Sequence, residues 1–155
     1  MYNHAPEGYI CPICLGVQGI ENDKTLMRQG DIVYKDDLVT GFINSFFVGK
    51  NSGHVIIVPN EHFENIYDLP KEVGARVFDV AQKVALAMKE AYECDGITTR
   101  QNNEPAGDQH AFHYHMHVFP RYMDDGYNNT GGEKRLADPE ERKVYAEKLK
   151  KYFGV

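Results

Sequence analysis

Apolar positions along the chain follow two rhythms. From Pro70 to Ala91, the residues Val73, Val77, Val80, Val84, Met88 and Ala91 recur at three- and four-residue spacing, which predicts a helix with one buried face. Asp68 stands where a cap is expected, and Asp95-Gly96 closes the pattern. Elsewhere the apolar residues form short β-branched or aromatic runs between turn residues. Ile32 to Asn44 reads as two strands around a turn at Asp36-Asp37. His54 to Pro59, after the Lys50–Gly53 turn, reads as a buried strand, and Ile97 to Asn103 and His113 to Tyr122 read as two more. Asp138-Pro139-Glu140-Glu141 opens a second helix, with Asp as cap, Pro at the first position and Glu at the third. The lysine-rich end of that helix suits its dipole.

Strands, a long helix, strands and a shorter helix follow in that order. With only one helix between strands, a doubly wound parallel sheet is not expected. The order predicts an α+β fold, an antiparallel sheet with one long helix and a C-terminal helix packed on it. No repeat or low-complexity linker divides the chain, so residues 1–155 read as a single domain. Its core spans about residues 9–122, and a polar loop (Asp124 to Glu133) and the second helix complete it.

Composition narrows the function classes. The 155 residues, 42% hydrophobic and 26% charged, suffice for one buried core. No apolar run approaches the roughly 20 residues of a membrane span, so no membrane partner is expected. The start, MYNHAPEGYICPIC, lacks a basic segment followed by an apolar one, which points to the cytoplasm. A net charge of −6 disfavours long nucleic acids, whose binding needs many Lys/Arg–phosphate contacts, but is compatible with a small phosphorylated ligand.

Three of the seven histidines stand at alternate positions, in His113-Tyr114-His115-Met116-His117. On a strand, alternate side chains share a face, so the three imidazoles should project together while Tyr114, Met116 and Val118 enter the core. Three readings fit. One is a polar strand face without chemistry. Another is a hydrolytic metal centre on three histidines with a position open for water. The third is nucleophilic catalysis, in which a neutral imidazole attacks phosphorus to form a phosphoramidate while its neighbours bind oxygens or move protons. A second motif, Cys11-Pro12-Ile13-Cys14, is half of a tetrahedral zinc site, a redox pair, or two unrelated cysteines. Cys94, near the end of the long helix, reads as a small buried hydrophobe.

The triplet resembles the signature of the histidine triad (HIT) superfamily, His-φ-His-φ-His-φ-φ with φ apolar, here completed by Val118-Phe119. Gly53-His54-Val55-Ile56-Ile57-Val58-Pro59 resembles the family's G-H-φ-φ-φ-φ-P strand, and Gly41-Phe42-Ile43-Asn44 its φ-φ-Asn segment. Asn103-Glu104, the turn through Gly107, and Gln109 four residues before His113 resemble its loop ahead of the triplet. Phe119-Pro120-Arg121-Tyr122 is similar to the bacterial branch, and the likeness runs from about Cys11 to Tyr122.

The resemblance implies a nucleotide hydrolase or transferase. His115 would attack the α-phosphate of a nucleoside phosphoramidate or dinucleoside polyphosphate, and water would release the nucleoside monophosphate. His117 would face phosphate oxygens, Gln109 the bridging atom or phosphate, and His54 the phosphate and leaving-group site. Asn44 and Asn103 would bind substrate, with Asn44 on the ribose and Phe42 and Ile43, together with Phe46, walling a purine base. Related branches bind structural zinc through a CxxC pair, a His after the G-H strand and the first triplet His, which implies the ligands Cys11, Cys14, His62 and His113. The family also implies a homodimer and no catalytic cofactor. The alternatives are a metallohydrolase with zinc on the triplet, a nucleotide-binding module without turnover, and a phosphorylase or transferase in which phosphate or a sugar phosphate replaces water.

Overall fold

In the computed structural model, which describes residues 2–127 and 133–154, five strands form one antiparallel sheet. They are β1 (Ile32–Lys35), β2 (Val39–Ile43), β4 (Val55–Pro59), β5 (Gly96–Gln101) and β6 (Met116–Arg121), in spatial order β1-β2-β4-β6-β5. A separate two-stranded ribbon pairs β3 (Phe46–Val48) with β7 (Lys134–Leu136). Among the described residues the helices α1 (Pro12–Val17), α2 (Lys71–Ala91) and α3 (Pro139–Phe153) accompany them. The α+β antiparallel architecture is the one expected from the strand and helix order.

The sheet has two different faces because its strands alternate. Val39 and Ile43 of β2, Val55 and Ile57 of β4, and Val118 of β6 pack under α2, which contributes Val77, Val80, Val84 and Met88. Tyr114 and Cys94 join that core, as their positions predict. Helix α3 closes it with Ala146 and Leu149. Phe42, Ile56 and Val58 face the other way, onto Ile13 and Val17 of α1 and onto Met27.

Several turns follow their sequence signals. Asp36 accepts from the backbone N–H groups of Leu38 and Val39 at 2.9 and 2.8 Å, which fixes the β1–β2 hairpin. Asp138 caps α3 by accepting from Glu140 at 2.9 Å, with Pro139 at the first position. Gly53 turns into β4 with φ +77°, and a Cβ there would lie 2.3 Å from Tyr145 Cδ1, so only glycine fits. Helix α2 departs from expectation at its start, since Pro70 and not Asp68 is the capping residue.

The C-terminal segment is built into the fold. The buried Arg142 guanidinium sits 3.1 Å from both Asp31 carboxylate oxygens and donates to the carbonyls of Ala137 and Leu26 at 2.8 and 3.0 Å. This ties α3 to the turn before β1. The ribbon strands β3 and β7 carry no alternation that sequence reading resolves; each has three residues and exists because the other pairs with it. Of the polar loop, residues 128–132 lie outside the described residues. Among the described residues, no helix is long and apolar enough to cross a membrane.

Candidate active site

The strand expected from His113 to Tyr122 begins only at Met116. The β4–β6 register pairs Val55 with Val118 and Ile57 with Met116. Continued, it would set Pro59 against Tyr114, and proline has no N–H to extend the ladder. Tyr114 donates instead to the carbonyl of Phe63 at 2.6 Å. His113 and His115 therefore lie outside regular strand geometry, and the three imidazoles do not converge on one point. Such a separation does not suit a catalytic zinc held by all three.

His113 turns toward the N-terminus. Its Nδ1 lies 3.4 Å from both Cys11 Sγ and Cys14 Sγ, and His62 Nδ1 lies 3.3 Å from Cys14 Sγ. All four ligand atoms fall within 4.8 Å of one another. Zinc with Zn–S near 2.3 Å and Zn–N near 2.0–2.1 Å in a tetrahedron requires N···S edges of about 3.5 Å, which these distances approach. The other nitrogen of His113, Nε2, donates to the Pro59 carbonyl at 3.0 Å, leaving Nδ1 as the ligating atom. Burial and the hydrogen bond with Cys11 push the Cys14 thiol up to about 12, so ionising Cys14 needs the charge of a nearby cation. The CxxC itself opens α1: Cys11 caps the helix and Pro12 fills its first turn. The cluster is compatible with a closed Cys2His2 zinc site.

His115 and His117 face a cavity of about 330 Å3. His115 Nδ1 lies 2.7 Å from the His113 carbonyl, which can only accept, so Nδ1 carries the proton and Nε2 presents a lone pair. His54 stacks on Phe119 with ring centroids 4.2 Å apart, and its Nε2 meets the Asn44 amide at 2.7 Å. Nδ1 of His54 and Nδ1 of His117 are buried without a hydrogen-bond partner. Burial holds all three imidazoles neutral: it lowers His115, drives His117 well below its ordinary value and takes His54 down to about 3.

The register explains the cavity floor. Phe42 pairs with Ile56, Ile56 with His117, and His117 with Arg100, so one row crosses four strands from apolar to basic. Asn44 and His54 lie beside that row, and Phe46, Ser45, Asn102 and Lys134 complete the wall nearby. Ile13, Leu26 and Met27 cover the apolar end.

The structure thus brings His54, His115, His117, Asn44 and Phe42 into one cavity, and Phe46 with them. It does not bring Ile43, Asn103 or Gln109 there. Ile43 is one residue from Phe42, and alternation sends it into the core under α2. Asn103 accepts from the Ile66 N–H at 2.8 Å, and its amide donates to Gln101 at 2.8 Å. Gln109 is buried with its amide fully used. It donates to the carbonyls of Glu64 and Ala111 at 2.6 and 3.0 Å and accepts from the Glu104 N–H at 2.7 Å. Its geometry braces the loop ahead of the triplet. The cavity residues that sequence reading missed include Lys24, Arg100, Asn102, Ser45 and Lys134, while His110 lies at the rim against Asp108 at 2.9 Å. Arg100 lies on β5, where its pairing with His117 brings it to the cavity, and Asn102 follows the end of that strand, so the signal for both appears only once β5 is paired.

Comparison with known proteins agrees with this geometry. The HIT domain family matches residues 27–124. The chain is 38% identical over 103 residues to Protein hit of Bacillus subtilis (strain 168), covering 63% of this chain and 70% of that one. It is 30% identical over 123 residues to the bis(5'-adenosyl)-triphosphatase of Dictyostelium discoideum, covering 79% and 80%. A zinc-bound histidine triad family protein from Mycobacterium smegmatis superposes with a TM-score of 0.69 at 25% identity, over 93% of this chain and 96% of the other. This chain belongs to the HIT family.

Proposed function

We propose that the protein is a nucleotide hydrolase or transferase acting at the α-phosphate of nucleoside phosphoramidates or dinucleoside polyphosphates, with His115 as nucleophile. The observation that carries this reading is the 2.7 Å bond from His115 Nδ1 to the His113 carbonyl, which fixes the tautomer whose other nitrogen can attack. In the first step His115 Nε2 forms a bond to phosphorus, and the bond from phosphorus to the leaving group breaks with its electron pair. In the second, water attacks phosphorus, the N–P bond breaks, and the nucleoside monophosphate leaves. His117 and His54 face the phosphoryl oxygens, and Asn44, oriented by His54, meets the ribose. Phe42 and Ile56 offer a flat apolar wall to a purine base. The Dictyostelium relative, named as a triphosphatase of adenosine dinucleotides, supports this substrate class.

Cys11, Cys14, His62 and His113 would hold a structural zinc that locks the segment leading into β6, as the zinc-bound Mycobacterium neighbour supports. All described elements share one packed body, which supports a single domain over residues 1–155. A cytoplasmic homodimer completes the reading. Among the described residues strand β5 is a sheet edge with no further strand beside it, and α2 exposes Phe78 and Leu86, so both elements offer surface to a twofold partner.

Rapid-quench intact mass spectrometry after mixing with an adenosine phosphoramidate tests the mechanism. A transient gain of one adenylyl group, absent in His115→Ala, is expected. Product without an adduct, and activity lost on chelation while the fold survives, would establish a metal-dependent hydrolase instead.

A further inference from the structure

Arg100 is the one member of the cavity-floor row that the mechanism leaves unused. It sits on β5 opposite His117, one strand and about 4.8 Å beyond it, on the side away from Phe42 and Ile56. Its Nε is buried without a hydrogen-bond partner, and among the described residues its guanidinium has no ionic partner either. It lies over Phe119, 5.7 Å from the ring centroid. Arg100 is half-buried, and its Nε donor is shut from water with no acceptor, which is costly until a polar group on a ligand completes it. The carboxylate at the cavity rim, Asp108, is taken by His110. Two further cations line the same cavity, both outside the residues that match the family: Lys24, two residues before Leu26, and Lys134, which reaches it from β7. Arg100 and Lys134 both act on His54 and His117, holding their protonated forms down after burial has done most of it, so their positive field spans the reaction centre.

We infer that Arg100, assisted by Lys134, forms a leaving-group subsite for a further phosphoryl group beyond the one His115 attacks, and so selects polyphosphate substrates over phosphoramidates with an uncharged amine leaving group. This rests on the nucleophilic role of His115. With the base over Phe42 and Ile56 and the α-phosphate at His115 and His117, the row continues to Arg100. As the bond from the α-phosphorus to the bridging oxygen breaks, the electron pair and its negative charge pass to the departing phosphate chain. Arg100 and Lys134 meet that charge where it develops. An amine leaving group needs a proton there and no cation.

The test compares kcat/KM for diadenosine triphosphate and adenosine 5'-phosphoramidate in the wild type, Arg100→Met and Lys134→Met. Arg100→Met should lower the triphosphate value by about 30-fold, the size of a lost charge-assisted hydrogen bond, and the phosphoramidate value far less. Lys134→Met should show the same bias at a few-fold. Equal losses on the two substrates would place Arg100 on the α-phosphate and overturn the subsite, as would no loss on either. A binding arm does not depend on turnover. The His115→Ala chain should bind adenosine triphosphate about tenfold more tightly than the monophosphate, and Arg100→Met should erase the preference. Absence of that preference overturns the subsite. A preserved preference with no adduct in the wild type would sink the nucleophilic reading and leave the anion subsite standing.

Discussion

Two imidazole clusters lie a few residues apart in this chain and have opposite characters. At Cys11, Cys14, His62 and His113 the ligand atoms turn inward and close on one another within 4.8 Å. At His54, His115 and His117 the rings line an open cavity, and two buried nitrogens face it without partners. The first arrangement would satisfy itself around one small cation and leave no position for substrate. The second stays unsatisfied until something polar enters. A single carbonyl joins them: His113 turns its ring into the closed cluster while its backbone oxygen fixes the tautomer of His115. Histidine content alone therefore does not assign chemistry; the direction in which each nitrogen is committed does.

The largest effect should come from breaking the open cluster. His115→Ala should cut turnover roughly ten-thousand-fold, as loss of a nucleophile does, and leave the thermal midpoint nearly unchanged. A midpoint collapse parallel to the activity loss would show that His115 is structural. Breaking the closed cluster should do the reverse. Cys14→Ser, or zinc removal by a strong chelator, should cost on the order of 5 kcal/mol of stability in denaturant unfolding, with activity falling as the fold is lost. Full stability without the metal would refute a structural role for the four residues.

The neighbouring pair Phe42 and Ile43 sharpens the contrast between the sheet faces. Ile43→Ala should cost about 2–5 kcal/mol, as for a buried aliphatic side chain, with little change in KM. Phe42→Ala should cost a comparable amount of stability and in addition raise KM, because it removes both a packing partner of Ile13 and Met27 and a wall of the cavity. Steady-state kinetics beside urea titrations would separate them, and a KM change larger in the Ile43 variant would reverse the face assignment.

A more gradual effect concerns protons. His54 has a folded-state pKa of about 3, below the ordinary value near 6.5. Between these values the unfolded chain holds a proton that the folded chain refuses. Stability from this group is complete above about pH 6.5 and falls by roughly 1.4 kcal/mol per unit as pH drops toward 3. His54→Gln should flatten that slope in urea midpoints measured from pH 7 to 4.5. An unchanged slope would mean that His54 takes up its proton without resistance.

Much of the site was legible because its motifs are local. Alternation in the triplet, the G-H strand and the CxxC each name their residues directly, and His54, Asn44, Phe42 and His117 do line the cavity. The errors arise where one residue's shift changes the face. Ile43 sits one position from the cavity residue Phe42, and a sheet turns successive side chains to opposite sides; Asn103 sits one position from Asn102 past the end of β5, where hydrogen bonds with Ile66 and Gln101 hold it away from the cavity. Gln109 was misplaced for another reason: a loop amide can face a ligand or the backbone, and only the carbonyls of Glu64 and Ala111 decide which.

By itself the sequence determined the sheet-and-helix class, the long amphipathic helix, and the residue types able to ligate zinc or attack phosphorus, because helix periodicity, strand alternation and side-chain chemistry are local properties. Only the tertiary structure decided that His113 leaves the other two histidines, since that follows from a proline across the ladder from Tyr114. Only strand pairing set Arg100 beside His117, and only the return of the C-terminal segment onto β3 brought Lys134 to the cavity. These are contacts between residues far apart in the chain, and no local pattern encodes them.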